Sequence, residues 1–70
     1  MITVTLLGRS SGRPLSGRRV TVHWSYSWSE GFTDGNGSVN LAGGPSRGKI
    51  YVSGTKVREG YLSGNVTVYG

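Results

Sequence analysis

The 70-residue sequence contains no cysteine. Disulfide staples are therefore excluded, and so is a structural zinc site built on thiolates. Strong helix formers are scarce: Ala42 is the only alanine, Met1 the only methionine, and glutamate and lysine occur twice each. Acidic groups are few, three Asp and Glu against eight Lys and Arg, and His23 is the only histidine. No apolar run approaches the roughly 20 residues of a membrane-spanning helix. Met1 to Leu7 alternates apolar and polar residues where an export signal would need a basic start and an unbroken apolar stretch. Read as a complete reading frame, the chain is expected in the cytoplasm. Read as one domain of a longer chain, its location belongs to the remainder.

What is abundant is glycine, 13 residues of it, together with valine, serine, threonine and tyrosine. With 34% hydrophobic and 16% charged residues the chain is expected to fold, since disorder needs lower hydrophobicity and higher charge. Its length allows one domain, residues 1–70, near the lower limit of what a single core holds without disulfide or metal. A cleft walled on several sides is hard to build at this size, so catalysis is not expected. The formal charge of +5 favours phosphate, an anionic surface or an acidic protein through long-range attraction, and equally keeps a small sheet protein soluble.

The dominant pattern has period two. Val20, Val22, Trp24, Tyr26 and Trp28 alternate with Thr21, His23, Ser25, Ser27 and Ser29, as in a strand with one side on a core. Shorter alternations occur at Ile2, Val4 and Leu6, at Val39 and Leu41, at Ile50 and Val52, and at Val66 and Val68. Glycine, proline, asparagine and aspartate punctuate these runs at Gly8 to Gly17, Asp34-Gly35-Asn36-Gly37, Gly43-Gly44-Pro45, Ser53-Gly54 and Ser63-Gly64. The reading is an all-β, small antiparallel β-sandwich of Greek-key type with about six to seven strands. A bend near Ser27 to Gly31 is preferred, dividing Arg19 to Thr33 into two strands; a single long strand is the alternative. Asp34 to Gly37 is expected to close a tight hairpin onto Ser38 to Ala42. Ile2–Leu7 and Asn65–Tyr69 are expected at sheet edges, where unpaired backbone groups invite strand addition.

The order of these parts resembles the carboxypeptidase regulatory-like, or transthyretin-like, β-sandwich family. Gly12-Arg13-Pro14-Leu15-Ser16-Gly17 leads into Val20-Thr21-Val22, then Thr33-Asp34-Gly35-Asn36-Gly37 precedes Val39-Asn40-Leu41. Gly48 to Ser53, Gly60-Tyr61 and Val66-Thr67-Val68 complete the series, so that the likeness runs through nearly the whole chain. The resemblance implies a seven-stranded, non-catalytic module of the kind attached to enzymes, receptors or surface proteins, mostly outside the cytoplasm.

Several chemistries can be set aside. Gly43 to Lys49 matches the first seven positions of a phosphate-binding P-loop, but Ile50 replaces the magnesium-binding hydroxyl and a strand follows where a helix is needed. Asp34, Asn36 and Ser38 mimic the start of a calcium loop that lacks its glycine and terminal glutamate. His23 has no nucleophile elbow beside it, and Glu30, Asp34 and Glu59 show no spacing of a carboxylate pair. Asn36-Gly37-Ser38 and Asn65-Val66-Thr67 fit the glycosylation sequon, which matters only in a secreted protein. No catalytic, cofactor-binding or metal-ligating residues are assigned.

What remains is binding. Trp24, Tyr26 and Trp28 share the parity of Val20 and Val22 and are expected in the core, with an exposed stacking platform as the alternative. Tyr51 and Tyr69 have surface parity. Basic residues gather in the first loop (Arg9, Arg13, Arg18, Arg19) and near the fourth turn (Arg47, Lys49). With a bend near Ser27 the two basic groups lie at opposite ends; with one long strand they share an end. The surface expected to meet a partner is Arg13, Arg18, Arg19, Arg47, Lys49, Tyr51 and Tyr69. The first expectation is a protein partner or a second copy of the chain. The next is nucleic acid held by arginines and stacked on Tyr51 or Trp28, and the third is carbohydrate on the tryptophan-rich strand.

Overall fold

The structure, a computed structural model, describes residues 1–70. Seven strands form: β1 (Ile2–Leu7), β2 (Arg19–Trp24), β3 (Trp28–Phe32), β4 (Ser38–Leu41), β5 (Ser46–Val52), β6 (Thr55–Leu62) and β7 (Asn65–Tyr69). They build two facing sheets, one in the order β4-β1-β7 and the other in the order β3-β2-β5-β6. The all-β sandwich is therefore present as read, with no helix to cross a membrane. β2 and β3 pair as a hairpin, β3 adjoins β4 across the sheets, and β5 returns beside β2, a Greek-key path.

Alternation explains which side chains go inside. Ile2, Val4, Leu6, Leu41, Val66 and Val68 from one sheet meet Val20, Val22, Trp24, Ile50, Val52 and Leu62 from the other in a single cluster. Leu15, Val39 and Val57 pack at its rim. The first loop belongs to this fabric: Leu15 donates its N–H to the Leu6 carbonyl, and Thr33 Oγ1, buried, donates to the Leu15 carbonyl at 2.6 Å and accepts from the Arg18 N–H at 3.0 Å.

Four features differ from the sequence-based expectation. β1 is the centre of its sheet, paired antiparallel with β4 and parallel with β7, so Ile2–Leu7 is not an edge; the edges are β3, β4, β6 and β7. The parallel pair arises because the chain crosses from β6 to the free side of β1 after an even number of intervening reversals. Asp34 to Gly37 does not close a hairpin within one sheet but carries the chain from β3 to β4 in the other. There the Asp34 carboxylate accepts the N–H groups of Asn36 and Ser38 at 2.8 and 3.0 Å, a turn-closing role. The chain does turn in the expected region, but at Ser25 to Ser27, with Trp24 donating its N–H to the Ser27 carbonyl at 2.8 Å.

That turn reverses the fate of the aromatic row. Pairing places His23 opposite Trp28, Thr21 opposite Glu30 and Arg19 opposite Phe32. Residues directly opposite share a face, so the even positions of β3 join the odd, solvent-facing positions of β2. Trp24 is 6% exposed, whereas Tyr26 is 65%, Trp28 63% and Phe32 65% exposed. Tyr26 stacks on Trp24 at the sandwich end, ring centroids 6.5 Å apart, and does not enter the core.

Candidate functional site

β3 is built inside out. Its core-side residues are Ser29 and Gly31, small, while its solvent side carries Trp28, Glu30 and Phe32. A Cβ on Gly31 would lie 2.7 Å from Val39 Cγ2, so glycine here lets β4 close against β3. Ser29 donates to the Ala42 carbonyl at 2.6 Å, the same oxygen that accepts the Trp24 indole N–H at 3.1 Å. The inner side of β3 thus serves the sheet-to-sheet corner, and the large side chains are left outward.

They join a continuous outer face on the four-stranded sheet. Strand register lays out one row as Trp28, His23, Lys49 and Glu59, and the next as Glu30, Thr21, Tyr51 and Lys56. Arg47 lies opposite Tyr61, which is 60% exposed, at one end of the face, and Arg19 opposite Phe32 at the other. The rings of His23 and Tyr51 meet at 5.0 Å with a 54° tilt and form a ridge between two open depressions. One, about 410 Å³, is bounded by Trp24, Arg47, Lys49 and Glu59; the other, about 470 Å³, by Arg19, Trp28 and Glu30.

The charges on this face are largely paired with one another. Arg19 reaches Glu30 at 3.7 Å, Lys49 reaches Glu59 at 4.0 Å and Lys56 reaches Glu59 at 3.0 Å. The hydrogen bond from Lys56, reinforced by its charge and that of Lys49, holds the Glu59 carboxyl below the ordinary range, and the same bond raises the Lys56 ammonium. Arg47 is the one cation there without a carboxylate partner.

Comparison with protein-family models, with curated proteins and with solved structures found no match to this chain.

The residues singled out from sequence divide between surfaces. Arg19, Arg47, Lys49 and Tyr51 share the outer face, with the two basic groups at opposite ends of β2 and β5, as the bend at Ser27 requires. Arg18 and Tyr69 border a different depression, between β6 and β7 at the far end of the sandwich. Arg13 is exposed in the first loop, where its carbonyl accepts the Gly8 N–H. Trp28, expected in the core with an exposed platform as the alternative, lies on the surface, and Phe32 and Tyr61, which the sequence pattern did not single out, are exposed with it, because which face an aromatic takes depends on strand register. No group of three or more His, Asp or Glu side chains gathers to hold a metal ion.

Proposed function

We propose that the chain is a non-catalytic binding module of transthyretin-like type that acts through protein contacts, foremost with a second copy of itself, by the outer face of the β3-β2-β5-β6 sheet. One observation carries the reading: β3 turns its large side chains, Trp28 and Phe32, outward and its small ones inward. An aromatic side chain left in water forgoes about 1.5–3 kcal/mol of burial, which a covering partner would recover. Aromatic anchors of this kind are what fully desolvated interface centres use.

The face carries both signs of charge in alternation, Glu30 and Glu59 among Arg19, Lys49 and Lys56. Such a surface complements itself under a twofold axis, as an isologous dimer requires. The molecule spans 33 × 19 × 18 Å, so the sheet face offers on the order of 600 Å² per copy, at the low end for a specific interface. Association is accordingly expected to be weak and concentration-dependent. The seven strands in two sheets, with Gly12 to Gly17 feeding β2 and Thr33 to Gly37 feeding β4, support the family likeness that underlies a binding role.

Sedimentation velocity over a concentration series tests this. A dimer that dissociates on dilution and is abolished by Trp28→Ser with Tyr61→Ser supports it, and a monomer at millimolar concentration overturns it. A nucleic-acid ligand is the second reading, favoured by the unpaired Arg47 beside Tyr51 and Tyr61. It requires salt-sensitive binding to single strands that Arg47→Gln weakens. A tryptophan platform for carbohydrate is reduced to Trp28, because Trp24 lies in the core.

A further inference from the structure

Five of the eight cations have no carboxylate partner: Arg9, Arg13, Arg18, Arg47 and Arg58. Three of these, Arg9, Arg18 and Arg58, border one stretch of surface, where the edge strands β6 and β7 leave the sandwich open. Two depressions adjoin there and share Arg9, Val57 and Tyr69 as common walls. The deeper, about 250 Å³, reaches down to Leu15 and Val52, the first at the core rim and the second within the core. Arg58 stands on the shallower side and Arg18 on the deeper one. No side-chain carboxylate approaches, since Glu30 and Glu59 are engaged on the outer face and Asp34 caps the β3–β4 turn.

Guanidinium groups stay charged at every physiological pH, and three of them around a crevice floored by Leu15 and Val52 focus a positive potential that no side-chain carboxylate offsets, although main-chain oxygens such as that of Gly70 also border it. A polar anion alone would leave the apolar floor wet; an apolar molecule alone would leave the arginines without a counter-charge. We infer that this crevice is a binding site for a small amphiphilic anion, one carboxylate, sulfonate or phosphate monoester head on a short apolar body, with the head between Arg9 and its neighbouring arginines and the body on Leu15, Val52 and Val57. The volume lies just below the usual range of ligand pockets, so the body is limited to a short acyl chain or a single ring. The site lies apart from the outer sheet face and does not depend on self-association.

The test is a two-dimensional amide NMR titration of the isotope-labelled chain with octanoate, octanol and inorganic phosphate at constant ionic strength. Octanoate is expected to saturate with a Kd on the order of 1 mM, appropriate to so few atoms, and to shift the amides of Arg9, Val57 and Tyr69 more than those of His23 or Lys49. Octanol and phosphate, each carrying half of the recognition, are expected to bind at least about tenfold more weakly. Arg9→Gln and Arg58→Gln, both at exposed side chains, should each weaken octanoate roughly threefold, the size of one exposed charge pair, without changing the spectrum's dispersion. Phosphate or octanol binding as tightly as octanoate, shifts centred on the outer face, or full affinity in the double variant would each overturn the assignment.

Discussion

His23 and Trp28 face each other across the β2–β3 hairpin on its solvent side, while Trp24, one residue further along β2, points into the core. Two tryptophans four positions apart in sequence therefore occupy opposite environments. Trp28→Phe is expected to remove the quencher-accessible, red-shifted part of the fluorescence and to change stability by no more than about 0.5 kcal/mol. Trp24→Ala should cost about 3–5 kcal/mol, comparable to the whole stability of so small a domain, and leave the chain unfolded by circular dichroism. Acrylamide quenching of Trp28→Phe, which keeps only the buried Trp24, as efficient as that of the unsubstituted chain would contradict the hairpin register.

Thr33 offers a sharper probe of the first loop. Its hydroxyl is the hinge between Leu15 and Arg18, donating to one backbone and accepting from the other in a buried position. Thr33→Val keeps the shape and strands both partners, so a loss of about 1–3 kcal/mol is expected, read as a lower urea midpoint at unchanged slope. Thr33→Ser should recover most of it. An unchanged midpoint in the valine variant would mean that water replaces the hydroxyl.

The Glu59 cluster sets a pH dependence whose direction follows from its two shifts. Glu59 has its carboxyl lowered by Lys56 and then Lys49, so its contribution is complete above the ordinary carboxylate range and fades as pH falls through the lowered value. Lys56 is raised by the same bond, so its contribution is complete below the ordinary lysine range and fades as pH rises through the raised value. These groups are exposed, and salt screens them. Glu59→Gln is expected to flatten the acid limb of the thermal midpoint against pH slightly, and 1 M salt should erase the difference from wild type.

Much of this fold is legible in the sequence, because burial on one face writes a period of two directly into the residues. Ile2, Val4 and Leu6, and likewise Val20 and Val22, announce both their strand and their inner face. β6 leaves a weaker trace: Thr55–Leu62 holds only Val57 and Leu62 on the core side, and a register shift between Ile50 and Tyr51 breaks its alternation. The outer aromatic face is harder still to read. Whether Trp28 is inside or outside turns on the number of residues in the preceding turn, and Ser25 to Ser27 flips the parity of everything up to Phe32. Strand order is likewise set by crossings between sheets, not by any local pattern, which is why β1 proves central.

Gly31 ties that inverted strand to its neighbour across the sandwich corner, and the cause of any loss there can be isolated. Its backbone is not in the left-handed region, so alanine brings no conformational strain; the only cost is the clash of its Cβ with Val39 Cγ2 at 2.7 Å and Leu41 Cδ2 at 3.1 Å. Gly31→Ala is expected to destabilise by about 1–3 kcal/mol through overpacking. Val39→Ala alone opens space at the core rim and also destabilises. Combined, the new methyl occupies room the valine vacated, so the double variant should be more stable than the sum of the two losses by roughly 0.5–2 kcal/mol. Gly54→Ala provides the contrast: at φ 88° with open space around it, its cost is backbone strain of about 1 kcal/mol that Val39→Ala cannot relieve. Additive losses for Gly31 with Val39, measured by urea denaturation, would show that β4 does not close against β3 in solution.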